Sequence, residues 1–202
     1  NGPVWVDGID DNAVYLDGID DYVSLPEMVD NTFSEFTVSG WIKPASVPEE
    51  AGVVIFGIVS DGEFMVRLTG PDVAEELGEV RENPIWIEVK TEDGIWHRHT
   101  LSNTNISEGV WYHIAGTYSS LEGQVKLYIN GSLEYTQYLE TNLSLNRYSS
   151  INKFGGHPDS HHGEYFNGTI DEVLIWNRTL SSVEIADIYN SQRDPIFDYS
   201  IR

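Results

Sequence analysis

Two acidic pentapeptides near the start of the chain are the first candidates for chemistry. Asp-Gly-Ile-Asp-Asp occurs at residues 7–11 and again at residues 17–21, and each copy carries three carboxylates. Calcium takes six to eight oxygen ligands from carboxylates, carbonyls and water, and clustered carboxylates repel one another without a cation. The spacing does not match the calcium loop of helix–loop–helix proteins. Asp-Gly and Asp-Asp are also common turn formers, and we interpret residues 7–11 as a turn.

Histidines supply a second candidate metal site. His157-Pro158-Asp159-Ser160-His161-His162 combines imidazole and carboxylate groups of the kind that zinc and copper prefer. Glycines flank the stretch on both sides and no second ligand cluster accompanies it in the sequence, so a solvated loop is the favoured interpretation. His113, in Trp111-Tyr112-His113, is predicted to pack in the core.

Sequence motifs of catalysis are missing. Glycoside hydrolysis needs two carboxylates placed across the scissile bond. Asp171 and Glu172 are adjacent instead, and a strand directs adjacent side chains to opposite faces. The sequence has no Gly-x-Ser-x-Gly motif, no phosphate-binding loop and no cysteine. We therefore predict that the protein is not an enzyme.

Two tryptophans are candidates for glycan binding. In Ile85-Trp86-Ile87-Glu88-Val89, Trp86 shares a face with Glu88 and opposes the aliphatic residues, and Trp96 precedes His97-Arg98-His99. Exposed aromatic rings on a sheet face can stack on sugars. The alternative is that both rings only cover apolar surface. The other tryptophans of predicted strands are expected in the core: Trp41, Trp111 and Trp176.

The net charge excludes several classes of partner. The chain has 202 residues and a formal net charge of −22, whereas nucleic acid and anionic membranes attract basic surfaces. No run of about 18 apolar residues is present, so no membrane insertion is expected. Asn-x-Ser/Thr triplets are either glycan acceptors or ordinary turn sequences. They begin at Asn105, Asn130, Asn142, Asn167 and Asn177.

Short alternating segments dominate the chain. Val125, Leu127 and Ile129 share one face of a predicted strand, and Asn130-Gly131 is a two-residue hairpin turn. One helix is predicted over residues 180–189, where Ser181 and Glu184 form a capping box. This pattern indicates an antiparallel sandwich. Strands are predicted at residues 36–42, 53–58, 63–68, 85–89, 96–101, 111–118, 125–129, 132–139, 149–154 and 168–176.

The order of these motifs resembles the laminin-G-like, concanavalin A-like jelly-roll domains of exported microbial and archaeal surface proteins. The resemblance covers about residues 13–190 and is carried by residues 13–23, 36–44, 111–118, 125–131 and 166–178. It implies an all-β, two-sheet antiparallel jelly-roll sandwich with one short C-terminal helix, in an extracellular or cell-surface protein. We assign the domain to residues 1–192 and a strand-like tail to residues 193–202.

The resemblance also implies a calcium site. In related domains the loop that corresponds to residues 17–21 lies near the start of the Ile-Asp-Glu strand. A structural Ca²⁺ would then be bound by Asp17, Asp20, Asp21 and Asp171.

The resemblance further implies that one edge strand of a sheet lacks a pairing partner. The family usually has one more strand upstream of the segment at residues 2–8, and an unpaired edge strand exposes backbone groups to other chains. Residues 195–201 could fill this edge in the same chain or in a neighbouring copy; the alternative is a fragment boundary. We expect a non-catalytic extracellular adhesion or structural subunit that self-assembles by strand addition. The alternative is a calcium-dependent, lectin-like module, with glycans or cell-surface proteins as partners.

Overall fold

The fold is a sandwich of two antiparallel sheets. The computed structural model describes residues 2–25, 34–49, 52–59, 63–70, 82–91, 94–140, 151–157 and 164–193. The strands in these residues are β1 (Val4–Asp7), β2 (Asn12–Asp17), β3 (Val23–Ser24), β4 (Glu35–Pro44), β5 (Val53–Val59), β6 (Glu63–Leu68), β7 (Pro84–Lys90), β8 (Trp96–Asn105), β9 (Tyr112–Ser119), β10 (Gln124–Ile129), β11 (Ser132–Tyr138), β12 (Ile151–Phe154) and β13 (Asn167–Trp176). The described helix is α1 (Ser182–Arg193).

The two sheets draw on different parts of the chain. A seven-stranded sheet has the order β1-β2-β13-β4-β9-β10-β11, and a six-stranded sheet has the order β3-β12-β5-β6-β7-β8. Neighbouring strands pair antiparallel throughout. The predicted two-sheet antiparallel architecture with one C-terminal helix is confirmed.

One face of each sheet forms the core. Ile85, Ile87 and Val89 of β7 are buried in the cluster between the sheets, because a strand turns alternate side chains to the same side. Phe36 of β4 and Phe64 of β6 join the two sheets edge to face, with ring centroids 4.7 Å apart. Full burial of each such side chain stabilises the fold by roughly 1.5–3 kcal/mol.

Helix α1 covers part of the outer face of the seven-stranded sheet. At its start the Ser181 Oγ accepts a hydrogen bond from the Glu184 N–H at 3.3 Å, and Glu184 Oε2 accepts one from the Ser181 N–H at 2.8 Å. The predicted capping box is confirmed. Ile185 and Leu180 bury themselves against Tyr128 of β10, so the helix is anchored by an apolar contact as well as by its cap.

His113 of β9 lies under this helix, as predicted for a core residue. Its ring is fully buried, 5.5 Å from the Trp41 ring and 6.0 Å from the Tyr189 ring. Neither ring nitrogen has a hydrogen-bond partner among the residues that the structure describes, and burial lowers the pKa of His113 to about 4. Trp41 is buried as expected, whereas Trp111 and Trp176 are only partly buried.

The two margins of the sandwich differ. At one margin the Glu134 carboxylate of β11 accepts hydrogen bonds from the Asn103 N–H at 2.6 Å and from the Thr104 N–H at 3.1 Å, both on β8. At the other margin a cavity of about 210 Å³ lies between the sheets, lined by Val14 and Ile170 on one side and Val23 and Phe154 on the other. Hydrogen bonds therefore join the two sheets at the β8–β11 margin, whereas side chains do not fill the space between the sheets at the other margin.

None of the helices among the described residues has the length and apolar character needed to cross a lipid bilayer. The tail at residues 194–202 lies outside the described residues.

Candidate functional site

The second acidic pentapeptide brings three carboxylates together. Asp17, Asp20 and Asp21 each place one carboxylate oxygen within 4.8 Å of the others. Asp21 is only 4% exposed, and its Oδ2 accepts a hydrogen bond from the Asp17 N–H at 3.2 Å. Asp17 Oδ1 accepts one from the Ile19 N–H at 2.9 Å. The donors are all oxygens and fit a hard cation such as Ca²⁺, and the loop hydrogen bonds also fit a turn.

Asp171 lies elsewhere, and the expectation that it joins this group is wrong. β13 runs antiparallel to β2, with Asn167 opposite Asp17 and Ile170 opposite Val14. Asp171 is four residues along β13 from the partner of Asp17, a separation of about 13 Å in a strand. The register of the two strands therefore places it at the opposite end of β2.

The first acidic pentapeptide is organised around Asp171. Asp171 Oδ2 accepts a hydrogen bond from the Ile9 N–H at 2.7 Å, and Gly8 N–H donates to the Asp11 carbonyl at 2.9 Å. A Cβ on Gly8 would clash with the Asp171 carboxylate, so a side chain at this position would have to displace the carboxylate. Burial, together with the charges of Asp171 and Asp10, raises the pKa of Glu172. The interpretation of residues 7–11 as a turn is confirmed.

The outer face of the six-stranded sheet carries the most unusual chemistry of the described chain. Cross-strand partners share a face, and the pairings align Val54, Arg67, Trp86 and Leu101 in one row. The next row aligns Lys153, Gly57, Met65 and Glu88. Charged side chains are rare in such buried positions unless they are paired, yet Arg67 is 8% exposed and Glu88 only 3%.

These charges form a network that we call the Arg67 cluster: Arg67, Glu88, Glu164 and His157. Arg67 Nε lies 3.0 Å from Glu88 Oε2, and Arg67 Nη2 lies 3.0 Å from Glu164 Oε2. His157 Nε2 lies 4.0 Å from the same Glu164 oxygen. The Glu164 carbonyl also accepts a hydrogen bond from the Val54 N–H at 3.2 Å, which fixes Glu164 beside the start of β5.

Trp86 and Trp96 differ in their surroundings. Trp86 faces outward beside Glu88 as predicted, but it is only 7% exposed, and its indole N–H has no hydrogen-bond partner in the described part of the chain. Trp96 is partly exposed, and the Lys90 ammonium lies 5.1 Å from its ring centroid. Trp86 is therefore not an open stacking platform, and its indole N–H is a buried donor.

The Arg67 cluster was missed by the sequence analysis, although part of its signal is present. Arg67 of β6 and Glu88 of β7 both lie on the strand face opposite the aliphatic core residues. A charge within an otherwise apolar strand is a signal of this kind. Glu164 carries no such signal, because its contact with Arg67 depends on tertiary structure.

The candidate glycan acceptors are placed differently from one another. Asn105 and Asn177 are exposed. Asn130 Oδ1 accepts a hydrogen bond from the His113 N–H at 3.0 Å, and Asn167 Nδ2 donates to Ser46 Oγ at 3.0 Å. Asn142 lies outside the described residues, as do residues 158–163 of the histidine stretch.

Several solved structures share the fold. Domain 4 of AbnA, an extracellular arabinanase from Geobacillus stearothermophilus solved with arabinotriose, is 22% identical; the match covers 93% of this chain and 81% of that one, with a TM-score of 0.64. The sialidase CBM40 from Ruminococcus gnavus is 18% identical over 78% of this chain and 84% of that one, with a TM-score of 0.61. The binding domain of Paraclostridial Mosquitocidal Protein 1 has a TM-score of 0.69 at 19% identity, over 95% of this chain and 46% of that one.

Sequence comparison identifies the family. A search of curated proteins gives no match. The family model described as the concanavalin A-like lectin/glucanases superfamily matches residues 17–186, which include strands of both sheets and the start of α1. The chain belongs to the concanavalin A-like lectin/glucanases superfamily.

Proposed function

We propose that this domain is a non-catalytic, extracellular glycan-binding module that uses the outer face of its six-stranded sheet. The observation that carries the proposal is the indole N–H of Trp86, which is buried and has no acceptor among the described residues. An unsatisfied buried donor costs roughly 1–3 kcal/mol. Trp86 lies directly opposite Arg67 of the Arg67 cluster. A sugar hydroxyl would satisfy the N–H only if binding opened the packing that buries it.

The cluster itself supports a binding role. Buried ion pairs contribute little net stability compared with apolar packing, so their presence on an outer sheet face suggests a function other than folding. Glu164 is the most exposed member of the Arg67 cluster, with 21% of its side chain accessible. Carboxylates and indole N–H groups accept and donate the hydrogen bonds that sugar hydroxyls require. Two of the similar structures are, by name, a domain in complex with arabinotriose and a CBM40 domain.

The arrangement of the carboxylates supports the absence of catalysis. In the described part of this face, Glu88 and Glu164 are both ion-paired with the same guanidinium. A glycosidase needs one carboxyl group on each side of the glycosidic bond, whereas these two are joined through Arg67.

The proposal is tested with Trp86→Phe, which removes the N–H and keeps an aromatic ring. Wild-type protein is first screened on an array of immobilised neutral and acidic glycans, and the best ligand and arabinotriose are then titrated by calorimetry. We expect Trp86→Phe to weaken binding about tenfold, the equivalent of one hydrogen bond. Trp111→Phe, at a partly buried tryptophan outside this sheet, is the matched control. Unchanged affinity in Trp86→Phe, or no glycan bound by the wild type, would contradict the proposal.

We also propose a structural Ca²⁺ at Asp17, Asp20 and Asp21. The mutual proximity of their oxygens and the burial of Asp21 support it. A ligand present at about 100 times its Kd stabilises the folded state by about 2.7 kcal/mol, so saturating CaCl₂ should raise the melting temperature relative to EDTA. Asp21→Asn should abolish the shift, whereas Asp10→Asn in the first pentapeptide should retain it. Equal melting temperatures in CaCl₂ and EDTA would remove the ion from the proposal.

A second candidate function is self-assembly at the β1 edge. Among the described residues β1 pairs only with β2, and Val4 and Trp5 are 54% and 71% exposed. Residues 195–201 of the same or a neighbouring chain would add a strand here. Deletion of residues 195–202 should then lower the molar mass measured by light scattering or the melting temperature. If neither changes, strand addition is rejected.

A further inference from the structure

We infer that the cavity between the sheets at the β2–β3 margin binds the acetamido group of an N-acetylhexosamine, with the sugar ring against Trp5. This site is separate from the outer face of the six-stranded sheet, and it extends the proposed glycan binding to a second place in the fold. The cavity measures about 210 Å³, and its lining includes Trp5, Asn12 and Glu172 as well as apolar side chains of both sheets.

The walls of the cavity are apolar. Val14 pairs with Trp5 of β1 on one side and with Ile170 of β13 on the other, so these three side chains share one face of the sheet. Val23 and Phe154 line the cavity from the six-stranded sheet. Val14 and Val23 are only partly buried, so a small apolar group bound here would remove further apolar surface from water.

Polar side chains lie at one end of the cavity. Asn12 precedes Val14 by two residues and Glu172 follows Ile170 by two, so the antiparallel register of β2 and β13 carries both to the same end. Asn12 is exposed and Glu172 is half-buried. Neither side chain is therefore sealed from a ligand that enters from solvent.

A β-bulge places Glu172 at this end. Two residues of β13, Glu172 and Val173, lie opposite the single Gly40 of β4. Glu172 has a φ of 47°, a left-handed conformation that is unfavourable for a residue with a side chain. Bulges and strained residues of this kind are frequent at functional sites. The neighbouring Asp171 carboxylate already accepts hydrogen bonds from two backbone N–H groups, so Glu172 is the carboxylate that can serve a ligand.

An acetamido group matches this division into apolar walls and a polar end. It has a methyl group, one N–H donor and one carbonyl acceptor. The methyl fits between the walls, the N–H can donate to the Glu172 carboxylate, and the carbonyl can accept from the Asn12 side-chain amide. Glu172 Oε2 accepts a long hydrogen bond from Gln192 Nε2 at 3.4 Å, which leaves acceptor capacity on the carboxylate. The parent hexose has a hydroxyl group in this position and gains nothing from the apolar walls.

Trp5 supplies a surface for the sugar ring. Its side chain lies on the same face as the cavity wall Val14, yet it is 71% exposed, because β1 is the outermost described strand at this edge of the seven-stranded sheet. An exposed indole ring can stack on the apolar face of a sugar. An N-acetylhexosamine is uncharged, so the net charge of −22 does not oppose its approach.

The test is a titration, followed by heteronuclear NMR, with the methyl glycosides of N-acetylglucosamine and N-acetylgalactosamine, each compared with its parent hexose. We expect the N-acetylated member of each pair to bind about tenfold more tightly, from one buried methyl group and one added hydrogen bond. The signals of the Trp5 indole N–H and the Asn12 side-chain amide should shift during the titration, whereas that of the Trp86 indole should not.

Substitutions test the parts of the site separately. Trp5→Ala should weaken binding of the N-acetylated sugars about fivefold, and Tyr138→Ala, at an aromatic residue of β11 with the same 71% exposure, is the matched control. Val23→Phe should fill the cavity and abolish the preference for the N-acetylated member. Asn12→Ala, at an exposed position, tests the polar end and should reduce the preference even if Val23→Phe does not fold. Melting temperatures establish that each variant is folded.

The outcomes separate this site from the proposed use of the six-stranded sheet. Parent hexoses bound as tightly as their N-acetylated counterparts would overturn the inference and leave glycan binding at the other face standing. A preference lost in Trp86→Phe and kept in Asn12→Ala would also overturn it. A preference lost in Asn12→Ala and kept in Trp86→Phe would support it, whatever Trp86→Phe does to other glycans. A preference seen only after deletion of residues 195–202 would assign the cavity to that tail and reject the sugar.

Discussion

The outer faces of the two sheets bury titratable groups in opposite ways. On the seven-stranded sheet, His113 is buried alone between Trp41 and the Tyr189 ring of α1, and it is neutral because burial lowers its pKa to about 4. On the six-stranded sheet, Arg67 is buried as a cation beside two carboxylates. Desolvation disfavours a charge unless a partner compensates it. The first face buries a neutral group without a charge partner, and the second buries charges only as ion pairs.

The largest change in stability that would test this comparison is expected from a substitution that breaks the Arg67 cluster. Arg67→Ala removes the guanidinium from the buried Glu88 carboxylate, whose side chain is 5% exposed, and we expect a loss of roughly 3–5 kcal/mol in the free energy of unfolding. Urea denaturation measures it. The double variant Arg67→Met/Glu88→Leu replaces charge by apolar volume and should recover most of the loss. A single variant as stable as the wild type would mean that the pair is not desolvated.

A pH titration tests the other face. His113 is neutral in the folded protein down to about pH 4, whereas in the unfolded chain it gains a proton near pH 6.5. Its contribution is therefore complete above pH 6.5 and is lost as the pH falls towards 4, by about 3 kcal/mol in total. The carboxylates of the chain also respond to acid, so the measurement is the difference in unfolding free energy between wild type and His113→Phe across pH 4 to 7. A constant difference would contradict a neutral, desolvated His113.

The smallest expected effect concerns the helix that seals His113. Ser181→Ala removes the hydroxyl that caps α1, and loss of such a cap costs about 1 kcal/mol. Thermal unfolding followed by circular dichroism detects this change, with Ser191→Ala at the other end of the helix as a control. If Ser181→Ala and Ser191→Ala lowered the melting temperature equally, the capping role of Ser181 would be contradicted.

Local patterns predicted the elements well. The alternation of Val125, Leu127 and Ile129 predicted β10, and these residues are in the core. Asn130 and Gly131 have φ values of 50° and 76°, as the predicted hairpin turn requires. These features depend on neighbours in sequence, and the order of such motifs was sufficient for the fold.

The candidate site depended on contacts that local patterns do not contain. Asp171 was assigned to the wrong acidic loop, because the register between β2 and β13 decides which end of β2 it meets. The Arg67 cluster joins residues 67, 88 and 164, which only the pairing of β6 with β7 and the path of the chain before β13 bring together. A cluster of side chains from distant segments of the chain leaves no periodic pattern in the sequence from which it could be predicted.

The Glu134 contact between β11 and β8 makes the sandwich mechanically asymmetric. Charge-assisted hydrogen bonds hold the sheets together at that margin, while the opposite margin contains the partly open cavity beside Val23 and Phe154. Thermal fluctuations that separate the two sheets should begin beside the cavity, while the Glu134 hydrogen bonds keep β8 and β11 together. Amide protons of β2 and β3 would then exchange with solvent before those of β8, and this order would establish the direction in which the domain opens.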